Sequence, residues 1–87
     1  MRVELKLPQV VDDVLEPATV CNILHGAGEP VREGEPVIEL INRDGMFDVP
    51  APVTGLIVEL YVRPGQMVFP GMRLLAMESA GPGPQRL

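Results

Sequence analysis

Ten prolines, at positions 8, 17, 30, 36, 50, 52, 64, 70, 82 and 84, cut this chain of 87 residues into pieces too short for long helices. A proline inside a helix removes a backbone hydrogen bond and collides with the preceding turn. Nine glycines add further breaks. What remains between the breakers is rich in Val, Ile and Leu, which suit a pleated, half-buried surface. The length admits one small domain with a modest core.

Several pieces alternate with a period of two, the mark of a strand with one face buried. In "RVELKL", Val3, Leu5 and Leu7 fall on one face and Arg2, Glu4 and Lys6 on the other. In "LIVELYV", Leu56, Val58, Leu60 and Val62 are expected to share a face opposite Ile57, Glu59 and Tyr61. "PVIEL", "MFDV" and "RLLAME" read as further strands.

The chain also repeats itself. Residues 18–40 align with residues 55–77, placing Gly28 over Gly65, Val31 over Val68 and Gly34 over Gly71. Val20 then matches Ile57, Ile23 matches Leu60, Val37 matches Leu74 and Ile38 matches Leu75. The shared frame is strand, G-x-x-V-x-x-G, strand. The glycines permit the positive φ of tight turns, and the valine between them points inward. Two copies of one hairpin unit predict two similar small sheets facing each other about a quasi-two-fold axis. The fold class is therefore all-β, a sandwich or flattened barrel. The expected ordered domain is 1–79. The segment 80–87, with no apolar pattern, is expected to be a flexible tail.

Twelve acidic residues against seven basic ones give a net charge of −5. A nucleic-acid binder needs a basic surface, so that class is excluded. The acidic balance suits solubility or docking on a basic partner. Cys21 is the only cysteine, which rules out an internal disulfide and fits a reducing compartment. No apolar run reaches the length of a signal peptide or a membrane span. The expectation is a cytoplasmic protein that does not engage a membrane.

Chemistry-bearing residues are sparse. Cys21 and His25 are four apart on one expected strand, a span of roughly 13 Å, too far for a nucleophile–base pair. Asp12, Asp13 and Glu16 crowd one loop without a calcium-loop pattern, and read as a solvated acidic loop. Met46, Met67, Met72 and Met77 are scattered and read as core or edge filling. With no nucleophile, metal cluster or phosphate loop, the chain is not expected to be an enzyme by itself. The sequence calls for no metal.

The stretch "VIELINRDGMFDVPAPVTG" holds a turn between two strands. Asn42 first, Asp44 third and Gly45 fourth suit a type I turn followed by a glycine of positive φ. "FDVPAPVTG" (47–55) resembles the E-V-P-A-P-x-x-G that follows the modified lysine in the biotinyl/lipoyl carrier domain family. "HGAGEPVREGEPVIEL" and "RPGQMVFPGMRLLAM" resemble the two turn-and-strand halves of that family, and "LKLPQV" its opening strand. The likeness runs over residues 2 to 78 and is nearest to lipoyl domains of 2-oxo acid dehydrogenase acyltransferase subunits.

The resemblance implies a barrel-sandwich hybrid of two four-stranded antiparallel sheets, with the modified lysine at the tip of an exposed hairpin. In lipoyl domains that lysine stands six residues before the first proline of V-P-A-P. Here that proline is Pro50, and the lysine's place is taken by Asp44. The biotin-type A-M-K-M is absent as well. The only lysine is Lys6. The repeat offset maps it near Arg43, and so to the end of the sandwich away from the tip. The expectation is a non-catalytic interaction module without lipoate or biotin, related to 2-oxo acid dehydrogenase or biotin-dependent carboxylase complexes. Its candidate interaction residues are Asn42, Arg43, Asp44 and Gly45 at the tip, with Asp12 and Asp13 on the neighbouring loop. The alternative is a carrier modified unconventionally, through Lys6 or the N-terminal amine, or holding its ligand non-covalently. A third reading is an assembly domain completed by another chain.

Overall fold

The structure, a computed structural model, describes residues 1–7 and 17–80. Eight strands are found among the described residues: β1 (Arg2–Lys6), β2 (Ala18–Ile23), β3 (Pro30–Val31), β4 (Pro36–Asn42), β5 (Gly45–Pro50), β6 (Gly55–Leu60), β7 (Met67–Val68) and β8 (Arg73–Ser79). They form two four-stranded antiparallel sheets, ordered β1-β8-β6-β3 and β5-β4-β2-β7. The expected all-β architecture of two facing sheets is what the chain adopts. The segments expected as a flexible tail and as an acidic loop, the latter with Asp12, Asp13 and Glu16, lie outside the described residues, apart from Ala80.

The repeat is realised strand by strand. Val20 pairs with Leu40 and Ile57 with Met77; Ile23 pairs with Ile38 and Leu60 with Leu75. The short strands are exchanged. β7 of the second half pairs with β2 of the first, and β3 of the first half pairs with β6 of the second. Gly28, Gly34, Gly65 and Gly71 all have φ between 88° and 91°. A side chain is strained in that region, which is why the two G-x-x-V-x-x-G turns keep glycine at both ends. Val31 and Val68 between them are buried, as the pattern predicts.

The core lies between the sheets. Ile38, Leu40, Ile57, Leu74, Leu75, Met77, Val20, Val37 and Val68 are fully buried. Burying each such side chain contributes roughly 1.5–3 kcal/mol before conformational entropy is subtracted. No polar or charged residue is buried among the described residues.

Two expectations are corrected. First, "LIVELYV" does not keep one face. Ile57 is buried while Leu56 and Val58 are exposed. A bulge between Ile57 and Glu59 inserts Val58 as an extra residue and reverses the alternation, so that Leu60 and Val62 turn inward. β2 carries the matching bulge between Val20 and Asn22, where Cys21 is the extra residue.

Second, Lys6 does not correspond to Arg43. Eleven residues separate β1 from β2, but only four separate β5 from β6. The offset between the halves therefore grows by seven across this connection. Lys6 pairs with Arg73 as Pro50 pairs with Pro36. Nor does it sit away from the tip. Leu7 bonds to Met72 and Gly71, which lead back to β7. β7 pairs with Ala18 and Thr19, and Thr19 pairs with Ile41, next to the tip. Lys6 closes β1 toward the hairpin's end of the sandwich.

Gly55 has an ordinary φ but no room. A Cβ there would lie 2.1 Å from the backbone oxygen of Glu78 on the neighbouring strand. Gly28 is the reverse case, with positive φ and nothing within 4 Å of a Cβ. Gly28→Ala is expected to cost about 1–2 kcal/mol, from backbone strain alone. Gly55→Ala is expected to cost more, about 3 kcal/mol, because backbone must move. Urea unfolding of the two variants checks the order.

Candidate functional site

β4 and β5 form the hairpin, with Asn42 paired to Gly45 and only Arg43 and Asp44 between the strands. The Asp44 amide donates to the Asn42 side-chain oxygen at 2.8 Å. This closes the turn through a side chain, as an Asn at the first turn position does. Gly45 has φ of 127°, and no described residue other than glycine has positive φ. The positive φ falls on Gly45 as expected, with none at Arg43 or Asp44. Both central side chains are exposed. The structure brings Asn42, Arg43, Asp44 and Gly45 together at the tip; Asp12 and Asp13 are not among the described residues.

The P-A-P stretch after β5 explains itself structurally. Ala51 is buried, donates to the Glu35 carbonyl at 2.8 Å and accepts from the Gly34 amide at 2.9 Å. Pro50 and Pro52 flank it without needing a donor. The motif steers the chain from one sheet to the other and delivers Gly55 to its tight contact with β8. It contributes no reactive group.

Lys6 is exposed at the end of β1. Cys21 is a free, half-buried thiol at the β2 bulge. Of the methionines, Met77 is buried and Met72 half-buried, filling the core as expected. Met46 and Met67 stand on the edge strands β5 and β7 and are exposed.

The sequence reading missed one cluster. His25 lies just past β2, with Nδ1 2.9 Å from Glu29 and Nε2 3.1 Å from Glu35. The two carboxylates also close turns: Glu29 accepts from the Gly26 amide at 3.0 Å and Glu35 from the Arg32 amide at 2.9 Å. In the second half the same turns are closed by neutral groups. Gln66 accepts from the Arg63 amide, and the Met72 sulfur accepts from the Phe69 amide. The repeat carried the signal: Glu29 aligns with Gln66, Glu35 with Met72 and His25 with Val62. With one imidazole between two acids, the cluster is a hydrogen-bonding clasp. No group of three or more His, Cys, Asp or Glu side chains among the described residues is arranged to hold a metal ion.

The Gly26 amide, and after it His25, hold the Glu29 carboxyl below its ordinary value. The folded chain then binds fewer protons there than the unfolded chain. The stabilisation is complete above the ordinary glutamate range and is lost as pH falls through the depressed value. Glu29→Gln keeps an acceptor for the Gly26 amide, as Gln66 does for Arg63. The variant is expected to show a smaller loss of urea midpoint between neutral and strongly acidic pH than the parent chain.

The biotin/lipoyl family, described as "Biotin-requiring enzyme", matches residues 3–77. The dihydrolipoyllysine-residue acetyltransferase component of the pyruvate dehydrogenase complex of Haemophilus influenzae is 26% identical over 84 residues, 97% of this chain. The chain spans 14% of that protein's length. Among solved structures, a single-chain, multi-domain long-chain acyl-CoA carboxylase superposes with a TM-score of 0.69 at 22% identity. The match covers 91% of this chain and 7% of that one, and it shows a shared fold.

Proposed function

This chain belongs to the biotin/lipoyl family, and we propose that within it the domain is a non-catalytic protein-interaction module with no covalent arm at its hairpin tip. The observation that carries the reading is the tip itself. Its two central residues are Arg43 and Asp44, and the single lysine of the sequence is elsewhere. A lipoyl or biotinyl group is joined through an amide to a lysine amine. The Asp44 carboxylate does not fit that linkage, and the guanidinium of Arg43 is no substitute for a primary amine. No chemistry is therefore routed through a cofactor at this turn.

The relatives supply the setting. One is a component of a pyruvate dehydrogenase complex and one an acyl-CoA carboxylase. The module is proposed to dock on a component of a complex of that kind, through a surface that includes the tip. Its acidic balance suits a basic partner face.

One observation favours a second reading. Lys6 is exposed and lies toward the tip's end of the sandwich. A carrier loaded at Lys6 would present its arm from the same end of the molecule.

Intact mass of the protein from its native source decides between them. The expected result is the unmodified mass, together with acylation of the Asp44→Lys variant by a lipoate or biotin ligase that leaves the parent chain untouched. An adduct mapped to Lys6 and abolished by Lys6→Arg would establish the second reading. An adduct anywhere else on the chain would overturn both.

A further inference from the structure

The two sheets share one frame, so each outer face is a control for the other. In the sheet β5-β4-β2-β7, Met46 pairs with Ile41, Ile41 with Thr19 and Thr19 with Met67. Directly opposed residues on antiparallel strands project to the same face. Their chain neighbours Ala18, Val20, Leu40 and Val68 are buried, so this row points outward. Met46 is 57% exposed, Ile41 40% and Met67 54%. The next outward row, farther from the tip, is Asp48, Glu39 and Asn22, with Asn22 donating to Glu39 at 2.7 Å.

In the other sheet the equivalent first row is Arg2, Glu78, Leu56 and Pro30. That row mixes Arg2 and Glu78 with the exposed Leu56 and Pro30, and ion pairs lace the face around it. Arg2 contacts Glu59 and Tyr61, Arg73 binds Glu4 at 3.1 Å, and the Arg73 guanidinium lies 4.4 Å from the Tyr61 ring centre. The backbone frame is common to both sheets, and the core is built from inward residues. Folding does not require Met46 and Ile41 in one outer row where the other has Arg2 and Glu78. An exposed apolar row with a polar border is the mark of a contact surface.

We propose that the outer face of the sheet β5-β4-β2-β7 is a docking surface for a protein partner that presents apolar side chains flanked by lysine or arginine. This deepens the interaction-module reading and rests on it. Met46, Ile41 and Met67 supply the apolar contact, and the methionines adapt their shape to the partner. Asp48 and Glu39 border the row on one side and Asp44 stands at the tip. Neither outward row carries a basic residue, and the whole chain is at −5. A cationic border on the partner is the complement. Two copies of this chain fit less well, because packing through the row brings both acidic rows into one interface.

The test is a titration of the isotopically labelled chain with a synthetic amphipathic helix, leucines on one face and lysines along its edges, followed by amide chemical shifts. The same helix with glutamates for lysines is the control. Shifts are expected to concentrate at Thr19, Glu39, Ile41, Met46, Asp48 and Met67, leaving the row Arg2, Glu78 and Leu56 unmoved. Met46→Glu and Met67→Glu are expected to weaken binding about tenfold each, and Leu56→Glu to leave it unchanged. All three positions are exposed, and a melting curve confirms that each variant folds. Equal shifts on both faces, equal affinity for the acidic helix, no weakening in the variants, or no binding at millimolar peptide would each overturn the proposal. So would a dimer, in sedimentation, that Met67→Glu dissolves, since the occupant would then be a second copy. None of these outcomes depends on whether a lysine is acylated, so the proposal can fail while the unmodified-module reading stands, and the reverse.

Discussion

Each half of this molecule is closed by the central strand of the other. The Gly28 amide donates to the Ile57 carbonyl at 2.6 Å, and the Gly65 amide donates to the Val20 carbonyl at 2.8 Å. Returning bonds run from the Ile57 amide to the Glu29 carbonyl and from the Val20 amide to the Gln66 carbonyl. Backbone groups buried without partners are expensive, so this reciprocal crossing fixes how the halves meet. It explains the exchange of β3 and β7 between sheets. It also explains the two bulges, since Val20 and Ile57 must turn from the ladder to meet the opposite turn while their side chains stay in the core. Neither half has this closure alone, and so the repeat must fold as a pair.

On this symmetric frame the side chains differ where the frame leaves them free. Turn acceptors are acidic around His25 and neutral in the equivalent place around Val62. One outer face is laced by ion pairs and the other shows an apolar row beneath the tip. Exposed ion pairs such as Arg73 with Glu4 contribute little to stability. Stability lies in the shared core, and what distinguishes the halves lies on their surfaces.

That division also governs what could be read from the sequence. The proline spacing, the alternation and the paired G-x-x-V-x-x-G turns gave the all-β class and the two-sheet plan, because they report backbone constraints that act locally. The tip turn was legible for the same reason: Asn42 and Gly45 are required by turn geometry. The face of Leu56 and Val58 was not legible, because one bulge residue reverses an alternation. The place of Lys6 was misjudged because the connection after β1 is longer than its counterpart, which shifts the offset between the halves. The His25 clasp and the Met46–Met67 row are built across strands. They become visible only when register is known, since their members are separated by up to 48 residues, from Thr19 to Met67.

The hairpin tip shows how little the fold depends on its two central side chains. The turn is closed by Asn42 and relaxed by Gly45, while its two central residues are exposed and bear no part of the core. A lysine or an aspartate at position 44 meets the same backbone demands, because neither needs a positive φ there. Exchanging one for the other costs the fold almost nothing and changes the chemistry completely. The P-A-P motif and Gly55 beside it are tied to the turn Gly34–Glu35 and to β8, and the fold needs them whatever the tip carries. The motif around the tip is therefore kept on structural grounds, whichever side chain stands at position 44. Function in such a domain must be argued from the exposed side chains, because the motif reports only the path of the chain.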